Sequence, residues 1–160
     1  MRLDSETLRL DLGALGRGES RQSFTFDPRD VEWDLDQARP GSDTAELDLC
    51  VSARNSTFIL RGSLEAIFVI PCARCLRPVR FETTEEIYKV YSSDPKLRDD
   101  SETVALTGSP SYLEILDAVR EAVILSVPGK PLCVPDCKGL CPACGCNLNE
   151  ESCPHTRPQR

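Results

Sequence analysis

Two pairs of cysteines with a two-residue gap, Cys72–Cys75 in PCARC and Cys141–Cys144 in CPACG, are the residues of this sequence best suited to chemistry. The gap lets both sulfurs of a pair face one ion while the backbone N–H groups of the turn point at the thiolates. Gly145, directly after the second pair, can take the positive φ that such a turn needs. Cys133 and Cys137 precede that pair with three residues between them, and Cys153 and His155 follow it as C-x-H. The chemistry on offer is tetrahedral metal ligation, with zinc as the ion such cysteine-rich sites take. Cys141 and Cys144 lead the ligand set.

A tetrahedral ion needs four donors, and the sequence supplies more. One partition joins Cys72 and Cys75 to Cys141 and Cys144 in a single site. Another builds one site from Cys72, Cys75, Cys133 and Cys137 and a second from Cys141, Cys144, Cys153 and His155. Both stay open, so the structural zinc is one ion or two. Cys146 reads as spare, and Cys50, alone within a strand pattern, as a bystander. His155 also reads as a solvated histidine in a polar tail.

The competing chemistry is a redox dithiol, making the chain a cytosolic thiol redox or metal-handling protein. Thioredoxin-type pairs sit where a strand meets a helix, whose N-terminus depresses the first thiol's pKa. Cys75 is followed by LRPV and a strand pattern, and Cys144 by a short loop, so neither pair fits. A disulfide framework is disfavoured as well. Nine cysteines leave at least one unpaired, and six of them crowd into residues 133–153.

Catalysis is not expected. With one histidine in the chain, imidazole-based acid–base schemes have little to work with. Phosphate-cradling and dinucleotide glycine loops are missing from the sequence. A zinc hydrolase keeps an open coordination position and uses His or carboxylate ligands, whereas these candidates are nearly all cysteine.

The formal net charge of -7 opposes tight, non-specific nucleic-acid binding and makes a basic partner electrostatically easier. Arg74, Arg77 and Arg80 are the local exception. They read either as an RNA contact or as a solvated hairpin tip. No segment approaches the roughly 20 apolar residues that cross a bilayer, and MRLDSETLRLDLG lacks a secretion signal's apolar core. A cytoplasmic location without a membrane partner or small-molecule substrate is expected.

The elements that must position the cysteines form an α+β fold: an antiparallel meander packed by one main helix, then a cysteine-rich, zinc-ribbon-like C-terminal segment. Residues 1–12 alternate as a strand, 13–20 read as a loop and Ser23–Phe26 as a second strand. Asp27-Pro28 opens a turn or short helix through Trp33, and Arg39–Asp43 is loop. Ala45, Leu47, Leu49, Val51 and Ala53 alternate with polar residues in a half-buried strand. Phe58 to Ile70 does the same, broken only at Gly62, and runs into Cys72. A third strand extends from Val79 to Tyr91, which places Cys72–Cys75 at a hairpin end. After a polar loop with a short strand at Thr103–Leu106, Ser109-Pro110, or a capping box of Ser111 and Glu114, starts a helix ending at Val127-Pro128-Gly129. Leu113, Leu116, Ala118, Val119, Val123 and Ile124 form its apolar stripe. The body spans residues 1–131 and the metal-binding tail 132–160, as one integrated domain. The tail has too few large apolar side chains to offset its ordering entropy, and metal ligation can supply the difference.

With PCARCLRPV on a strand-rich body, then a helix, then LCVPDCKGLCPACGCNLN, the chain resembles the YceD-like family of large ribosomal RNA subunit accumulation proteins over roughly residues 5–155. The resemblance implies a cytosolic bacterial factor needed for normal levels of 23S ribosomal RNA and for large-subunit assembly. The family's genes commonly neighbour one for a large-subunit ribosomal protein. The large-subunit precursor, either its ribosomal RNA or a basic ribosomal protein, is the implied partner. The family offers no catalytic residues to carry over. Its cysteine motif maps onto Cys72, Cys75, Cys133, Cys137, Cys141 and Cys144. Many relatives end in C-x-C where this chain has Cys153-Pro-His155.

Overall fold

The computed structural model describes residues 8–15, 18–97, 103–108 and 110–155. The chain is mostly β with one helix. Its main sheet contains β2 (Gly18–Phe26), β3 (Arg39–Pro40), β4 (Ala45–Arg54), β5 (Thr57–Pro71), β6 (Pro78–Ser92) and β7 (Thr103–Ala105). The strand order is β2-β4-β5-β6-β7, with β3 beside the far end of β5 where β4 has stopped. Pairing is antiparallel except for β7, which runs parallel to β6. Two further strands, β1 (Arg9–Asp11) and β8 (Tyr112–Glu114), pair with each other, and α1 spans Leu116–Ser126.

Period-two alternation sets the inner face. Leu47, Leu49 and Val51 of β4 and Leu60, Leu64 and Phe68 of β5 are buried, while Glu46, Asp48 and Glu65 point to water. Gly62 falls in the inward series because β4 passes too close for a side chain. A Cβ there would lie 1.9 Å from the Asp48 carbonyl oxygen. Trp33 packs edge-on to Phe68 at 5.4 Å, and its Nε1–H donates to the Pro28 carbonyl at 2.6 Å. The short 3-10 turn Pro28–Asp30 that presents this carbonyl is capped by the Asp27 carboxylate.

The helix begins later than either predicted cap. Ser109 lies outside the described residues, and Ser111 is followed by β8 rather than by a helical turn. Leu113 and Ile115 are buried while Tyr112 and Glu114 are exposed, a local period of two. Leu10 of β1 sits opposite Leu113, and Arg9 pairs with Glu114 at 2.9 Å, so strand pairing overrides the capping signal. Eleven residues are too few for a helix to stand alone in water, and packing holds it. Ala118, Val119, Ala122 and Val123 are buried, each valine contributing about 1.5–3 kcal/mol. Ile124, expected in that stripe, is instead 46% exposed. No described helix is long and apolar enough to cross a membrane.

Candidate metal centres

β5 and β6 pair along their full length, from Thr57 opposite Ser92 to Pro71 opposite Pro78. The six residues left over, Cys72 to Arg77, make the hairpin tip, and their backbone closes as a knuckle. The Cys72 N–H donates to the Arg77 carbonyl at 2.8 Å, and the Leu76 N–H donates to the Cys72 carbonyl at 3.0 Å. The CPACGC segment repeats this pattern. Cys141 N–H donates to the Cys146 carbonyl and Gly145 N–H to the Cys141 carbonyl, both at 2.8 Å. The residue after the second cysteine has positive φ in each case, 61° at Leu76 and 76° at Gly145. Neither pair opens a helix.

The segment after α1 returns to the hairpin tip. Ala73 N–H donates to Pro131 O at 2.8 Å, Leu140 N–H to Arg74 O at 3.1 Å, and Arg74 Nη1 to Cys137 O at 2.6 Å. These bonds bring Cys72, Cys75, Cys133 and Cys137 together. Cys141, Cys144, Cys146 and Cys153 form a second group, and within each group all four sulfurs lie within 4.8 Å of one another. The Cys75–Cys133 and Cys72–Cys137 contacts are 3.5 and 3.8 Å, and the Cys144–Cys153 and Cys153–Cys141 contacts are 3.3 and 3.4 Å. A disulfide would need about 2.05 Å. Four thiolates placed tetrahedrally about 2.3 Å from one ion, the usual zinc–sulfur length, have edges of about 3.8 Å. Both groups fit a four-coordinate metal of thiophilic character.

Backbone donors prepare these sulfurs for ligation. Burial raises the Cys72 thiol, but backbone N–H groups of Arg74, Cys75 and Cys133 outweigh it and bring the group down to about 6. The Cys141 thiol is likewise brought to about 6, here chiefly by the backbone N–H groups of Ala143 and Cys144. Beside these, the neighbouring sulfur of Cys75 pushes Cys133 up to about 12, and that of Cys144 pushes Cys146 up to about 12. The thiolate is thus favoured at Cys72 and Cys141, while the neighbouring Cys133 and Cys146 are held towards the thiol. Cys137 is lowered too. Burial opposes this, and the Asn149 side-chain amide, 3.3 Å from its sulfur, drives it together with the backbone N–H of Gly139.

Of the two partitions, the structure brings together the one that unites the hairpin pair with Cys133 and Cys137. In the other group Cys146 stands among the four sulfurs, although the sequence reading set it aside. It occupies the knuckle position that Arg77 holds in the hairpin, a correspondence the spacing C-x-x-C-x-C already contains. His155 lies beside this group, its Nδ1 3.3 Å from the Cys153 sulfur. Cys50 is half-buried on the outer sheet face, outside both groups. Asn149 escaped the sequence reading. Its amide also accepts from the Lys138 N–H at 2.8 Å, joining the two groups' segments.

A family model described as "Large ribosomal RNA subunit accumulation protein YceD" matches residues 60–160, a span that includes both cysteine groups. An uncharacterized protein of Mycobacterium tuberculosis (strain ATCC 25618 / H37Rv) is 32% identical over 108 residues, which cover 66% of this chain and 52% of the relative. A Mycobacterium bovis protein gives the same figures, and one from Mycobacterium leprae is 29% identical over 115 residues, 69% of this chain and 52% of the relative. The chain thus spans about half the length of the curated relatives it matches. No solved structure matches it. The family match over most of the chain, on the segment that carries both thiol groups, places this protein in the large ribosomal RNA subunit accumulation (YceD) family.

Proposed function

We propose that this chain is a non-enzymatic, zinc-binding factor of the bacterial cytoplasm that supports 23S ribosomal RNA accumulation and large-subunit assembly. Family membership across residues 60–160 carries the ribosomal part of this reading. Two thiolate tetrads, each containing the same knuckle, support zinc held in zinc-ribbon fashion. With thiolates in all four positions no site is left for a reacting water, so the zinc is structural. The first ion would fix the tail to the hairpin tip, and the second would order the last segment.

A basic ribosomal protein suits the chain better as direct partner than bare RNA. Of the three arginines near the hairpin tip, Arg74 is committed to the Cys137 carbonyl and Arg77 pairs with Glu150. Among the described residues only Arg80 of the three makes neither kind of contact, too little positive charge for a phosphate backbone against a net charge of -7. The test is depletion of the protein in its host, with the ratio of 23S to 16S ribosomal RNA and the sedimentation profile as readouts. A fall in 23S RNA, with the tagged chain migrating alongside large-subunit precursors, is expected. An unchanged ratio and a chain that stays at the top of the gradient would refute the proposal.

A further inference from the structure

The two thiol groups are built from the same parts but stand in different surroundings. In the first, Cys72, Cys75 and Cys137 are buried, Cys133 is half-buried, and Val79, Leu132 and Leu140 pack around them. Its Cys72–Cys75 half is carried on the main sheet by β5 and β6, and its Cys133–Cys137 half is bonded to that hairpin tip through Ala73, Arg74 and Leu140. The second group lies within the short segment from Cys141 to Cys153. Its Cys144 is exposed and Cys146 half-buried, and among the described residues no apolar cluster surrounds it. It also has a fifth donor, since His155 Nδ1 lies 3.3 Å from the Cys153 sulfur.

Resting on the metal reading above, we propose that the second centre is redox-labile: a peroxide oxidises it and releases its metal while the first centre keeps its own. Cys144 is the accessible sulfur, and Cys153 lies 3.3 Å from it. The Cys144 thiolate attacks the peroxide O–O bond, giving a sulfenic acid and hydroxide. The Cys153 sulfur displaces that sulfenyl oxygen, which leaves as water once protonated, and the Cys144–Cys153 disulfide forms. Two sulfurs have given up two electrons, and the peroxide has become two waters after the hydroxide takes a proton. The fifth donor determines when the metal leaves. Modification of Cys144 alone still leaves Cys141, Cys146, Cys153 and His155, enough for four-coordination. The disulfide removes two donors at once and leaves two thiols and an imidazole.

The experiment uses the full chain, isolated without chelator and assayed first for metal by elemental analysis. Hydrogen peroxide is then titrated in with a chromogenic chelator too weak to strip the intact protein. We expect two equivalents at the start, one of them released with the loss of two thiols per chain, and a dithiol reductant restoring the capacity to rebind it. Peptide mapping should place the disulfide at Cys144–Cys153, and Cys50→Ser should respond as wild type does. Two equivalents that leave together, metal that does not leave, or a disulfide among Cys72, Cys75, Cys133 and Cys137 would overturn the inference while leaving the metal reading intact. Fewer than two equivalents at the start would instead overturn the metal reading, and this inference with it.

Discussion

Replacing Gly62 by alanine puts a methyl group where β4 and β5 are closest. The new Cβ would lie 1.9 Å from the Asp48 carbonyl oxygen and 2.7 Å from Leu49 Cδ2, where real Cβ atoms essentially never come nearer than 3.0 Å. The strand backbones must therefore part by more than an ångström in the middle of a continuous ladder. Overpacking of this kind costs about 1–3 kcal/mol. A ladder hydrogen bond stretched that far is lost, at about 1 kcal/mol. Alanine restricts the unfolded chain and returns about 0.4–1 kcal/mol. The net loss is about 2 kcal/mol, which for a chain of this length lowers Tm by about 4–8 °C. Trp33, the only tryptophan, is buried against Phe68, so its fluorescence reports the melt directly. A variant that melts within a degree of wild type would refute the close approach, and with it the register that carries the hairpin to Cys72.

Other perturbations separate the site from the scaffold. Cys137→Ser and Cys141→Ser should each lose one metal equivalent by elemental analysis, from different centres, and a loss of both from either variant would join the centres into one. Leu76→Gly should raise Tm by a few degrees with metal content unchanged, because Leu76 is 66% exposed at φ 61°, a conformation that costs about 1–2 kcal/mol for a side-chain-bearing residue. Trp33→Phe removes one of the two donors to the buried Pro28 carbonyl, which keeps the Val31 N–H, and should destabilise the fold in urea by about 0.5–1.5 kcal/mol. Tyr91 is pushed up to about 12 by burial, with Asp117 and Glu121 adding to it, from 10.0 in the unfolded chain. Its contribution to stability is intact below pH 10 and is lost as pH climbs towards 12, so Tyr91→Phe should flatten alkaline unfolding over that interval, followed by circular dichroism.

The strands were legible wherever one face is buried. Ala45 to Ala53 and Phe58 to Ile70 alternate because one side of the sheet meets a core and the other meets water, and the gap at Gly62 marks a close backbone approach. The reading failed where a distant partner decided the local structure. Leu113 and Glu114 fit a helix as well as a strand, and only pairing with Leu10 and Arg9 selects β8. Arg39–Pro40 looks like loop in the sequence because two residues carry no period, yet β5 extends beyond β4 and accepts them. Cysteine spacing identified both knuckles. The grouping of six or more thiols depends on where the chain returns after α1, information held in the Ala73–Pro131 and Leu140–Arg74 bonds rather than in any motif.

The first thiol group has a consequence for how the protein is made. Its halves are 61 positions apart in the chain from Cys72 to Cys133, and the described residues between them include β6, β7, β8 and α1. A nascent chain exposes the hairpin cysteines long before their partners have been translated. The group cannot close until α1 and then Cys133 and Cys137 have emerged, so its assembly follows the synthesis of the sheet and the helix. Until then Cys72 and Cys75 are an uncovered pair of thiols at the tip of a hairpin, and the arrival of Cys133 and Cys137 shuts them away.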